Sequence, residues 1–65
     1  MNLEQIDTST TAGKAEVMRL AAEGRRVVER GGWSGASWVF VESPLWNWAF
    51  YDYAIIRADL AGEVA

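Results

Sequence analysis

Four tryptophans and five arginines carry most of the chemistry open to this 65-residue chain. Indole faces stack on planar ligands such as nucleobases, or anchor protein partners. Guanidinium groups offer a planar fork to phosphate or carboxylate and hold their charge. Trp33 lies in Gly31-Gly32-Trp33-Ser34-Gly35, where glycine neighbours make burial hard to arrange. Trp46 and Trp48 flank Asn47 shortly after Pro44, and both rings fall on one side of that segment if it is extended. Arg26 and Arg30 share a strand face, separated by Val28, and Arg57 closes a later strand. The candidate ligand-binding set is Trp33, Trp46 and Trp48 for stacking, Arg26 and Arg57 for phosphate, and Asn47 for polar edges, with Tyr53 beside them. Each residue also has a plainer reading. Trp in a small domain buries a large area, and Trp38, mid-strand, reads as core. The arginines serve solubility and pair with Glu23, Glu29 and Asp52. Asn47 ties down its own loop.

What the chain lacks narrows the function further. It has no His and no Cys, so disulfides, thiolate or imidazole metal sites, and Ser–His or Cys–His nucleophiles are excluded. The carboxylates Glu16, Glu23, Glu29, Glu42, Asp52, Asp59 and Glu63 are scattered, with no spacing that suggests an acid–base pair. The glycine-rich segment is not a phosphate loop, because it lacks Lys and opens no helix. A formal charge of −3 disfavours binding along a nucleic-acid backbone, yet two or three arginine forks suffice for a compact anion. These features point to a binding protein without catalysis and without a cofactor.

Positioning these groups falls to a few short elements. Residues 1–10 are polar and read as a flexible or partly docked arm whose only apolar anchors are Leu3 and Ile6. The spacing of Val17, Leu20 and Ala21 predicts a helix over residues 12–23, capped by Thr10 or Thr11 and ended by Gly24. Strands are expected at residues 25–30, 36–42 and 51–57. The second carries bulk on both faces (Trp38 and Phe40 against Val39 and Val41), which places it centrally. Residues 58–65 read as a tail. The expected fold is α+β: one N-terminal helix on a three-stranded antiparallel meander, a single domain over residues 11–57. A domain this short gains little from folding alone, and with neither disulfide nor metal a homo-oligomer is expected. Residues 1–10 lack the basic start and apolar core of a signal peptide, and no apolar run is long enough to span a membrane.

The stretch Trp38…Pro44-Leu45-Trp46-Asn47-Trp48…Tyr53-Ala54-Ile55 resembles a pattern of short bacteriophage proteins. Those proteins run helix, Gly ending, charged strand, then Trp, Pro-x-Trp-Asn-Trp and a closing Tyr-Arg-Ile. The likeness covers roughly residues 11–57, and Ala54 stands where the pattern has Arg, which removes any ligand contact that Arg makes. A shorter likeness, in Gly32-Trp33-Ser34-Gly35, is to phage anti-Thoeris sponges, small oligomers that trap cyclic or linear ADP-ribose signals. The resemblance implies a cytoplasmic protein of an infected bacterium that sequesters a nucleotide-derived immune signal. The other expectation is an inhibitor that covers a host defence enzyme, for instance a CRISPR effector. The expected partners are thus a second copy of the chain and either a nucleotide-like molecule or a host protein.

Overall fold

The computed structural model describes residues 2–57; the expected tail, residues 58–65, lies outside them. Helix α1 (Thr11–Ala22) is followed by strands β1 (Val27–Gly31), β2 (Val39–Val41) and β3 (Tyr51–Ile55). Thr10 caps the helix: its hydroxyl accepts a hydrogen bond from the Gly13 backbone N–H at 3.0 Å. Gly24, at φ +98°, adopts the left-handed conformation that ends it. Gly13 sits in the first turn because a β-carbon there would lie 1.8 Å from the Asp7 carbonyl oxygen. The loss of helix propensity at Gly13 thereby permits a close approach of the arm.

The α+β class and three antiparallel strands are as expected, but the strand order is β2-β1-β3, not that of a meander. β1 is central, with Val28 opposite both Phe40 and Ala54. β2 is an edge strand of three residues, and Val39 and Phe40 are exposed. The physical reason lies in β1. Val27 and Val28 point to opposite faces and both are buried, Val27 under the helix side and Val28 between Phe40 and Ala54 of the flanking strands, which a central position permits. Bulk on both faces of β2 is met differently, because guanidinium groups rather than a protein layer lie over its aromatic side.

This order has a consequence for the aromatic segment. β2 ends beside the start of β1, whereas β3 begins beside its end. Residues 42–50 must therefore climb the length of the sheet and cross β1. Trp46 and Trp48 ride on this crossover and pack, with Ile6, Leu20 and Val41, against the core of Val17, Val27, Tyr53 and Ile55. Helix and crossover thus share one face of the sheet. Full burial of an aliphatic side chain such as Ile55 contributes about 1.5–3 kcal/mol. Residues of the arm dock on the outer side of β3 through a Leu3–Ile56 bridge and a Glu4 N–H to Ile55 carbonyl bond of 2.8 Å. Arg25 fastens the same corner, donating to the Glu4 carboxylate at 2.6 Å and to the Ile56 carbonyl at 2.8 Å.

Candidate functional site

The candidate residues divide among three places. Trp46, Trp48 and Tyr53 form an aromatic cluster over the helix side of the sheet. The two indoles stack at 6.2 Å with an interplanar angle of 18°. Each also meets the Tyr53 ring, Trp46 at 5.0 Å and Trp48 edge-on at 4.9 Å. Tyr53 is buried, and its hydroxyl accepts a hydrogen bond from the Asn47 backbone N–H at 2.9 Å. The Asn47 carbonyl in turn accepts from the N–H groups of Phe50 and Tyr51, which closes the turn that leads into β3. Asn47 therefore ties down its loop through its backbone, and its side chain is left exposed. The Trp48 indole nitrogen is buried and has no hydrogen-bond partner among the described residues. Lys14 places its ammonium 5.8 Å from the same ring.

At one end of the sheet Trp33 folds back over Gly31, where a β-carbon would strike the indole at 2.0 Å. It meets Tyr51 edge-on at 6.2 Å and stays 63% exposed. With Asn47 and the 68%-exposed Phe50 it lines a shallow open depression. Arg57 lies two residues beyond the far end of β3, where its backbone N–H donates to the Asn2 carbonyl at 3.0 Å.

The third place is a cleft of about 480 Å³ between the C-terminal end of α1 and the end of β2. Arg26 and Trp46 both line it, together with Phe40, Glu42, Met18 and Pro44. Trp46 reaches both the cleft and the core from a left-handed backbone, at φ +55°. A bulky residue there costs on the order of 1–3 kcal/mol, which the surrounding packing must offset. The Arg26 guanidinium lies 4.1 Å from the centre of the Phe40 ring, and among the described residues no carboxylate pairs with it. The cleft thus combines a stacked guanidinium, which forms no ion pair among the described residues, with an indole, a phenyl ring and one carboxylate.

The remaining arginines are engaged. Arg19 bridges Glu16 and Glu23 along the helix. Arg30 contacts Asp52 at 3.3 Å and lies 4.4 Å from the Trp38 ring, so Trp38 is half-buried beneath a guanidinium. The expected pairing of an arginine with Glu29 is not among these contacts. Hydrogen bonds from Arg19 hold the Glu16 carboxyl below its ordinary value, and those from Ser9 do the same for Asp7. Both groups are on the surface, away from the cleft.

Sequence reasoning placed Arg26 and Trp46 in the candidate set but missed Phe40, Glu42 and Met18. A signal for Phe40 was present: Arg26-x-Val28-x-Arg30 alternates on one face, as Trp38-x-Phe40 does. Paired strands with those patterns set guanidinium groups over rings. Among the described residues no group of His, Cys, Asp or Glu could hold a metal ion, and no helix is long and apolar enough to cross a membrane. No protein-family description, curated protein or solved structure matches the chain.

Proposed function

We propose that the protein is a non-catalytic binding protein that captures a nucleotide-like anion in the cleft between α1 and β2. One observation carries the reading: Arg26, without a carboxylate partner, shares a cleft of about 480 Å³ with the Trp46 indole and the Phe40 ring. That volume falls in the range of small-molecule sites, as does the depression of about 470 Å³ beside Trp33, so the guanidinium and not the volume distinguishes the cleft. A guanidinium supplies paired donors to a phosphate, and an indole face supplies a surface for a base. Glu42 adds an acceptor for amino or hydroxyl hydrogens. In the setting that the sequence resemblance implies, the captured molecule is a nucleotide-derived immune signal and the effect is its sequestration.

Thermal melting of the purified chain against mono- and dinucleotides, cyclic dinucleotides and ADP-ribose derivatives tests this. Ligand at 100 times Kd stabilises by about 2.7 kcal/mol. The expected result is a raised Tm for one class, loss of that shift in Arg26→Ala, and recovery of the ligand chemically intact. No shift across the panel overturns the reading, and a chemically altered ligand overturns its non-catalytic part.

A second reading, inhibition of a host protein, is favoured by the exposed Trp33 and Phe50 at the opposite end of the sheet. Exposed aromatics of this kind act as interface anchors. Stoichiometric capture of one host protein, lost in Trp33→Ala and retained in Arg26→Ala, would select it over the first.

A further inference from the structure

We propose that the outer edge of β2 pairs, antiparallel, with β2 of a second copy of this chain about a two-fold axis at Phe40. The two edges of the sheet are treated differently. β3 has its outer side bridged by Leu3, whereas among the described residues no strand pairs with the outer side of β2. An unpaired edge presents a row of N–H and C=O groups, and natural edges are usually guarded by charge, proline or a bulge. Val39-Phe40-Val41 is guarded only by its short length and by Glu42 and Pro44 just beyond it, and Val39 and Phe40 are 52% and 56% exposed. Only five hydrophobic side chains are buried in the described residues, so the core leaves room for further burial to matter.

The sequence of the edge is complementary to itself. Val28 faces Phe40; continuing that register past the paired residues would set Arg26 opposite Glu42 and Arg30 opposite Trp38. The stacking of Arg30 on Trp38 agrees with that extension. A two-fold axis at Phe40 sets Phe40 against the partner's Phe40, Val39 against the partner's Val41, and Glu42 against the partner's Trp38. Glu42 then lies between its own Arg26 and the partner's Arg30, which reaches over the intervening indole. The rows read Arg–Glu–Trp–Arg, then Val–Phe–Phe–Val, then Arg–Trp–Glu–Arg. Each carboxylate is flanked by guanidinium groups and no like charges face each other, an arrangement that stabilises cross-strand pairs. An unrelated strand would have to supply the same order of residues, which a second copy supplies by symmetry. The pairing shares Phe40, Glu42 and Arg26 with the cleft, and brings the partner's Trp38 beside Glu42 at its rim.

The chain contains no cysteine, which makes a direct test available. In Phe40→Cys the two new thiols lie directly across the axis, at the separation of facing cross-strand residues, within reach of a disulfide. Under mild oxidation Phe40→Cys is expected to form a covalent dimer several-fold faster than Ser34→Cys, placed in the glycine-rich connection. Sedimentation of the unmodified chain is expected to show a dimer, with Glu42→Arg weakening it by about tenfold or more. Circular dichroism of each variant verifies that it is folded. A monomer at high micromolar concentration overturns the proposal. So does a dimer in which the two cysteine variants crosslink at equal rates, or a monomer that pairs this edge with another protein's strand instead.

Discussion

The two faces of the sheet use aromatic residues in opposite ways. On the helix side, Trp46, Trp48 and Tyr53 contact one another within 6.2 Å and close over Val17, Val27 and Ile55. On the other side, Phe40 and Trp38 lie under Arg26 and Arg30, with only Val28 fully buried between them. The first arrangement packs against the core, with Trp46 also reaching the cleft. The second is a charged veneer that keeps apolar rings compatible with water, with Arg30 paired to Asp52 and Arg26 free of an ion pair among the described residues. An abundance of tryptophan thus does not by itself mark a binding surface. What distinguishes a ring poised for recognition is a cation held beside it without a neutralising carboxylate.

The contrast is broken most sharply in the core. Ile55→Ala removes a fully buried side chain and is expected to cost about 2–5 kcal/mol, whereas Phe40→Ala, more than half exposed, should cost below about 1 kcal/mol. Chemical denaturation of both variants checks this, and equal losses would mean that the two faces are not distinct. Tyr53→Phe keeps the ring and deletes only the acceptor for the Asn47 N–H. It is expected to cost about 1 kcal/mol and to loosen the turn into β3, visible as faster amide exchange at residues 47–51. Smaller still is the veneer. Arg30→Ala loses a stacking contact on Trp38 and an exposed ion pair to Asp52, an expected loss of about 0.5–1 kcal/mol.

The smallest effect is on pH. The Glu16 carboxyl is held below its ordinary value, near 4.5, by hydrogen bonds from Arg19. Its folded pKa lies below its unfolded one, so its contribution is complete above pH 4.5 and is lost as the pH falls through the folded value. Asp7, lowered by Ser9, acts in the same direction. Tm should therefore decline modestly on acidification below that range, and less so in Glu16→Gln. Both groups are on the surface, and a steep dependence would point to a buried group instead.

The helix was legible because its signals are local. Thr10, the Val17–Leu20–Ala21 spacing and Gly24 fix its position to within one residue at either end. The three strands were legible by alternation, but less sharply: the expected 25–30, 36–42 and 51–57 are Val27–Gly31, Val39–Val41 and Tyr51–Ile55. Strand order was not, because it depends on which neighbours each strand finds. The adjacent pair Val27-Val28 was the clue that β1 is central, and the heavier residues of β2 drew attention away from it. The candidate site was half legible. Residue type singled out Arg26 and Trp46, but only the crossover of residues 42–50 brings them to one cleft. The same crossover carries Trp48 onto Tyr53 and leaves Trp33 at a different end. Spacing along the chain holds no record of such a crossing.

Binding measured side by side in two variants tests the central claim most directly. Calorimetric titration of the best nucleotide from the melting panel into Arg26→Ala and Trp33→Ala compares the cleft with the opposite end of the sheet. The cleft account predicts at least about tenfold weaker binding in Arg26→Ala, equivalent to 1.4 kcal/mol, and unchanged affinity in Trp33→Ala. Full affinity in Arg26→Ala, together with its loss in Trp33→Ala, would contradict it.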